Sequence, residues 1–130
     1  MDRASTKELL KFLLESINLI KRRFKDIKSS DDFLLDDAGL DRLDAISMRI
    51  QAIGEALKNI YKRDKDFLLE VGDIQYWSNI IKARDFISHH YVELDSEIIY
   101  MICDEKIDEL EIKIVKLLNK LLKGGYDDSR

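Results

Sequence analysis

None of the 130 residues is proline, and only five are glycine. Proline and glycine are the strongest local breakers of helices and the usual residues of tight turns. A chain almost free of them suits long helices with few interruptions and disfavours a turn-rich β fold. The apolar residues agree. Ser5-Thr6-Lys7-Glu8 fits a capping box that opens a first helix. Leu9, Leu10, Phe12, Leu13, Leu14, Ile17, Leu19, Ile20, Phe24 and Ile27 follow at helical spacing. So broad an apolar face implies contacts on two sides, with two bundle neighbours or with one neighbour and a second copy of the chain. Lys21-Arg22-Arg23, Lys25 and Lys28 make the end of this helix basic. Positive charge at a helix C-terminus explains them without a ligand; the functional alternative is an RNA backbone contact.

Lys28-Ser29-Ser30-Asp31-Asp32 reads as a connector, and Phe33-Leu34-Leu35 as a short turn or the start of the next helix. Asp36, Asp37, Asp41 and Asp44 crowd the start of a long helix that is expected to reach about Tyr61. The spacing of Asp37 and Asp41 would allow a shared cation, but carboxylates at a helix N-terminus need no metal to explain them. Leu43, Ile46, Ile50, Ile53 and Leu57 form the inward stripe. Gly54 interrupts it, at a helical position where glycine costs about 1 kcal/mol relative to alanine, which suggests a close approach of another helix. Glu55 beside it points either to solvent or toward Arg84. Lys62-Arg63-Asp64-Lys65-Asp66 reads as a polar break, followed by a short turn, Phe67 to Val71, closed by Gly72-Asp73. A third helix is expected from Ile74 or Gln75 to Ser88. Ile98, Ile99, Met101 and Ile102 open another helix, capped by Asp95 or Ser96, with a kink or break at Asp104-Glu105. Ile107, Leu110, Ile112, Ile114, Val115, Leu117, Leu118, Leu121 and Leu122 belong to the last one, ended by Gly124-Gly125.

These elements make a single domain over residues 1–130, with a core of about 5–123 and a frayed tail at 124–130. The expected architecture is all-α: an antiparallel four-helix bundle with one or two short extra helices. The chain is 45% hydrophobic, enough for a substantial core. Its net charge of -4 disfavours a protein that coats nucleic acid by bulk electrostatics, though not one with a local basic cleft. No run of about 18 apolar residues is present, so no membrane span is expected. The N-terminus lacks the apolar core of a signal peptide. Cys103 is the single cysteine, so neither an internal disulfide nor a cysteine metal cluster is expected. A cytoplasmic setting is the expectation.

One stretch concentrates the chemistry: Arg84-Asp85-Phe86-Ile87-Ser88-His89-His90-Tyr91, which holds both histidines of the chain. Arg84 and Ser88 are four apart and share a helix face. Arg84 and His89 are five apart, which rotates them by about 140° on an ideal helix. They converge if the helix ends near Ser88 and the chain turns back. An Arg and a His at one phosphate suffice for cleavage of RNA without a metal. The guanidinium supplies a fixed charge and a bidentate fork. The imidazole moves a proton near neutral pH. The plainer reading of two histidines after a helix is that they cap its last carbonyls.

The same stretch resembles the Rx4HxY signature of the HepT-type toxin ribonucleases of the HEPN class. Arg84 stands at the R, His89 at the H, His90 at the x and Tyr91 at the Y. Ala52-Ile53-Gly54-Glu55-Ala56-Leu57-Lys58 is similar to the IGEALK element of that family's preceding helix. Tyr76-Trp77-Ser78-Asn79-Ile80-Ile81 is similar to its aromatic lead-in, and Glu93-Leu94-Asp95 to its exit. The likeness covers roughly Lys7 to Leu122. One departure stands out, because many members carry Asn after the Arg where this chain has Asp85. The resemblance implies a HEPN-like bundle and a metal-independent endoribonuclease without a cofactor, the toxin of a toxin–antitoxin pair acting on RNA, with tRNA as the substrate. It further implies a homodimer whose two motifs face one cleft. The implied partner is an MNT-type nucleotidyltransferase antitoxin that AMPylates Tyr91. In that picture Arg84 holds the phosphate, His89 moves the proton, Asp85 and Ser88 support them, and His90 is a spacer. The alternative is a non-catalytic HEPN-type helical module for nucleotide binding, partner binding or dimerisation.

Overall fold

The computed structural model describes residues 3–89 and 95–123, and all the regular structure among them is helical. Helix α1 spans Arg3–Phe24, α2 Asp37–Leu68, α3 Ile74–His89, α4 Ser96–Met101 and α5 Ile107–Lys123. A 3-10 turn, Ser30–Leu34, lies between α1 and α2, and a π turn, Ile102–Lys106, joins α4 to α5. No described helix is long and apolar enough to cross a membrane.

The apolar stripes meet in one core. Leu10, Leu13, Ile17 and Ile20 of α1, Leu43, Ile46, Ile50, Ile53 and Leu57 of α2, and Ile107, Leu110, Ile114, Leu117 and Leu121 of α5 are all buried. Trp77 and Ile87 of α3 and Phe33 of the 3-10 turn join them. Removing this apolar area from water is the main force that turns marginal single helices into a stable bundle. Polar contacts report the directions. Lys21 near the end of α1 pairs with Asp108 and Glu111 at the start of α5, at 3.1 and 2.9 Å. Lys120 near the end of α5 pairs with Glu70, just past the end of α2, at 3.2 Å. Helices α1, α2, α3 and α5 therefore run up, down, up and down, the antiparallel four-helix arrangement expected from the sequence. Lys21 of the basic end of α1 is thereby engaged in a helix–helix contact.

Helix α1 begins at Arg3, so Ser5-Thr6-Lys7-Glu8 lies inside it and does not open it as expected, whereas the caps at Asp36 and Asp95 form where the sequence has its acidic residues. Asp36 accepts from the Gly39 N–H at 2.7 Å, and Asp95 accepts from the Glu97 N–H at 2.9 Å. Two breaks expected from the sequence are not breaks. Helix α2 does not stop near Tyr61 but continues to Leu68, with Asp64 alone leaving helical geometry (φ -150°, ψ 54°). Lys62 to Asp66 contain no glycine or proline to end a helix, and Phe67 and Leu68 beyond them are drawn into the core. The segment is thus a kink, and its last turn belongs to α2. At Asp104-Glu105 the chain likewise bends without breaking: the π turn puts Cys103 and Ile107 into the core on either side of two exposed acidic residues.

Candidate functional site

Arg84 lies where α3 crosses α2. A side chain at Gly54 would collide with the Arg84 stem, so the bare backbone of α2 is what lets the two helices meet there. Ile53, Ala56 and Leu57 around Gly54 are buried and hold α2 against the core. The start of α3 is anchored separately. Trp77 is fully buried, and its indole N–H donates to the carbonyls of Leu68 at 2.9 Å and Gly72 at 3.2 Å. The end of α2 and the start of α3 are thereby tied together, and the register that brings Gly54 to Arg84 is held from below.

With its stem packed, Arg84 presents its guanidinium at the surface with a side-chain exposure of 25%. Nη2 meets Glu55 Oε2 at 2.5 Å, and Nη1 meets Asp85 Oδ1 at 2.5 Å. The hydrogen bond that Arg84 donates to Asp85, and then the one it donates to Glu55, push the Arg84 pKa above its ordinary value. The group is a fixed cation, suited to holding a phosphoryl oxygen but not to moving a proton. Asp85, where the family resemblance placed Asn more often, is thus a partner of Arg84. Glu55, whose direction the sequence left open, points to Arg84 as well. Local pattern offered one signal for this pair: a glycine inside a helical stripe followed by a carboxylate.

The proposed proton carrier is placed only in part. Helix α3 is described through His89, one residue further than expected, so no turn separates Ser88 from His89. Nothing between Arg84 and His89 breaks a helix, and positions 84 and 89 stay about 140° apart around its axis. The side chains of Ser88 and His89, and all of His90 and Tyr91, lie outside the described residues. Among the described residues, no three His, Cys, Asp or Glu side chains gather to hold a metal ion.

Two hollows flank the α2–α3 contact. A shallow groove of about 330 Å³ lies between α1 and α2, lined by Leu9, Phe12, Ala52, Ala56, Asn59 and the arginine's partner Glu55. A deeper apolar cavity of about 280 Å³ is walled by Ile50, Ile53, Ala83 and Phe86 together with Ile102 and Ile107 beside the π turn. Ile50 and Ile53 lie on the other side of α2 from Glu55, so this cavity is separate from the guanidinium.

The sequence profile of the HepT-like family, described as Ribonuclease HepT-like, matches residues 13–117. Among curated proteins, the "Gamma-glutamylcyclotransferase and putative RNase" of Methanocaldococcus jannaschii is 31% identical over 122 residues, 94% of this chain and 51% of that protein. A "Putative RNase" of the same organism is 28% identical over 106 residues, covering 82% of this chain and 81% of its own. A "Putative RNase" of Caldanaerobacter subterraneus subsp. tengcongensis is 32% identical over 111 residues, covering 85% of this chain and 92% of its own. The chain therefore spans about half the length of the first relative and most of the other two. No solved structure matches it.

Proposed function

This chain belongs to the HepT-like ribonuclease family, and from that premise we propose that it is a metal-independent endoribonuclease in which Arg84 grips the scissile phosphate. The observation that carries the reading is the mounting of Arg84. Its stem is packed on Gly54, and its guanidinium is held at the surface at the start of the Rx4HxY stretch.

The chemistry follows from the residue types. His89 takes the proton from a ribose 2'-OH, the freed oxygen attacks phosphorus, and the bond to the 5'-oxygen of the next nucleotide breaks, that oxygen taking a proton from water. The product ends are a 2',3'-cyclic phosphate and a 5'-hydroxyl. Arg84 steadies the charge that builds on the phosphoryl oxygens. A fixed cation and a proton carrier are the two services a metal and its bound water would otherwise supply, which is why the reading requires no metal. Asp85 and Ser88 support this pair. Positions 84 and 89 diverge around α3, which supports a homodimer in which the motifs of two copies face one cleft. Within the same reading the chain is a toxin, tRNA is the substrate, and a nucleotidyltransferase partner silences it by AMPylation of Tyr91.

The test is cleavage of tRNA by the purified chain in EDTA, with Arg84→Ala and His89→Ala beside the wild type. Each substitution is expected to lower the rate at least about a hundredfold, the scale of one lost transition-state contact, without loss of helical circular dichroism. Wild-type protein that binds RNA without cutting it would favour the non-catalytic binding module.

A further inference from the structure

We propose that Glu55 is a displaceable counter-ion of Arg84: it occupies the phosphate position in the empty site and swings away when RNA binds. The inference rests on the ribonuclease reading of Arg84 and adds a residue from a different helix to that site.

The geometry of the fork carries it. A guanidinium grips a phosphate through two neighbouring nitrogens. Nη2 faces Glu55 and Nη1 faces Asp85, each at 2.5 Å. Every two-nitrogen edge of the group includes Nη1 or Nη2, so a bidentate phosphate would share a nitrogen with Glu55 or Asp85 and sit against that carboxylate, a repulsion relieved when one of them leaves. Asp85 is the chain neighbour of Arg84 on α3, with a short side chain that travels with the arginine. Glu55 reaches across from α2, and its side chain is 50% exposed. It can turn into solvent by a rotamer change alone, with no movement of either helix. Arg84 cannot escape the pair by shifting its stem, because that stem is packed on Gly54. One cation between two carboxylates leaves the empty site with a local charge of about -1 by simple addition, unfavourable for a nucleic acid. Exchanging Glu55 for a phosphate oxygen keeps Arg84 compensated and changes only the partner. Glu55 thus acts through Arg84: it competes with any incoming anion for the guanidinium and so weakens the capture of stray anions.

The experiment measures binding of a short single-stranded 2'-O-methyl RNA, which lacks the free hydroxyl needed for cleavage, at low salt. Glu55→Gln removes the charge and keeps the shape, and is expected to tighten Kd about three- to fivefold, the scale of one exposed ion pair. Glu55→Asp, too short to hold Nη2, moves Kd in the same direction. Glu70→Gln, which removes the same charge from the half-exposed pair with Lys120, leaves Kd unchanged. In an Arg84→Ala background the Glu55→Gln gain disappears. On cleavable RNA, Glu55→Gln lowers KM by the same factor at constant kcat. Unchanged or weaker binding by Glu55→Gln, a gain that persists without Arg84, or a fall in kcat would each overturn the proposal. Absence of wild-type cleavage would overturn the ribonuclease reading instead, and the binding measurements would still decide the role of Glu55.

Discussion

Gly54 and Arg84 are packed so closely that a methyl group built on Gly54 would fall on the Cβ of Arg84 and lie 3.0 Å from its Cγ. The atom in the way is fixed to the α3 backbone, so no rotamer change relieves the clash and the helices must part. Gly54→Ala gains about 1 kcal/mol of helix propensity. It loses about 1–3 kcal/mol to overpacking and also displaces the guanidinium. The expected outcome is a net loss of stability, with Tm lower by several degrees at about 4 °C per kcal/mol, and a larger proportional loss of RNA cleavage. A higher Tm for the alanine variant would show that α2 and α3 are not in contact at this point.

Trp77 is the chain's single tryptophan, buried, and donates to the carbonyls of both Leu68 and Gly72. Trp77→Phe removes the donor and part of the ring and leaves those carbonyls without it. The expected loss is about 2–4 kcal/mol, read as a lower urea midpoint. Wild-type emission is expected to be blue-shifted and to move red on unfolding. An unchanged midpoint would mean that the α2–α3 junction is held by other contacts.

Burial pushes the Cys103 thiol from its ordinary 9.0 up to about 12, with Asp104 adding to the shift. A thiol whose pKa is raised by folding contributes its full stability below pH 9 and loses it as the pH climbs from 9 toward 12. By pH 10 the expected loss from this group is about 1 kcal/mol. Urea midpoints at pH 7, 8.5 and 10 measure it, and Cys103→Ala is expected to flatten the decline above pH 9. Alkylation by iodoacetamide at pH 8 is expected to be slow on the folded protein and fast in urea. Fast labelling of the native chain would contradict a buried thiol.

The broad apolar side of α1 motivates a test of assembly. Leu9 and Phe12 line the groove beside Glu55, with Ala52 and Ala56 across from them. A stable homodimer buries at least about 1,000 Å² in total, and sedimentation equilibrium at micromolar concentration is expected to return twice the 15.3 kDa chain mass. A clean monomer would remove the shared-cleft arrangement.

Tyr91 follows position 89 by two residues and is the proposed site of control. Co-expression with a nucleotidyltransferase of the proposed antitoxin type is expected to add one or more AMP units to the peptide carrying Tyr91 and to abolish cleavage. The added phosphate would occupy Arg84, and the adenosine would crowd the cleft. Tyr91→Phe is expected to escape both effects. A phenylalanine variant silenced equally well would place control in simple binding.

The sequence by itself was enough for much of what depends on near neighbours in the chain, though it set the start of α1 too late and the end of α3 too early. Helical periodicity marked the buried stripes, from Leu10 and Leu13 in α1 to Leu117 and Leu121 in α5, because residues three and four apart share a face in any helix. The Asp95 cap was legible for the same reason, since an N-cap bonds only a few positions ahead. Arg84 could be nominated because its motif is contiguous. The polar run at Lys62 to Asp66 was misread as an end of α2, because only burial of Phe67 and Leu68 against the rest of the bundle carries the helix past it. Of the two partners of Arg84, Asp85 is its chain neighbour, while local pattern marked Glu55 only as a carboxylate beside Gly54 and left its direction open. Glu55 lies on a different helix, and whether it meets solvent or the guanidinium depends on the register of α2 against α3. That register is decided by packing: Gly54 admits the Arg84 stem, and Trp77 ties the other end of the crossing to Leu68 and Gly72. Periodicity and caps act over a few residues of one helix. The register between two helices is set by how their surfaces fit, and only the tertiary structure states it.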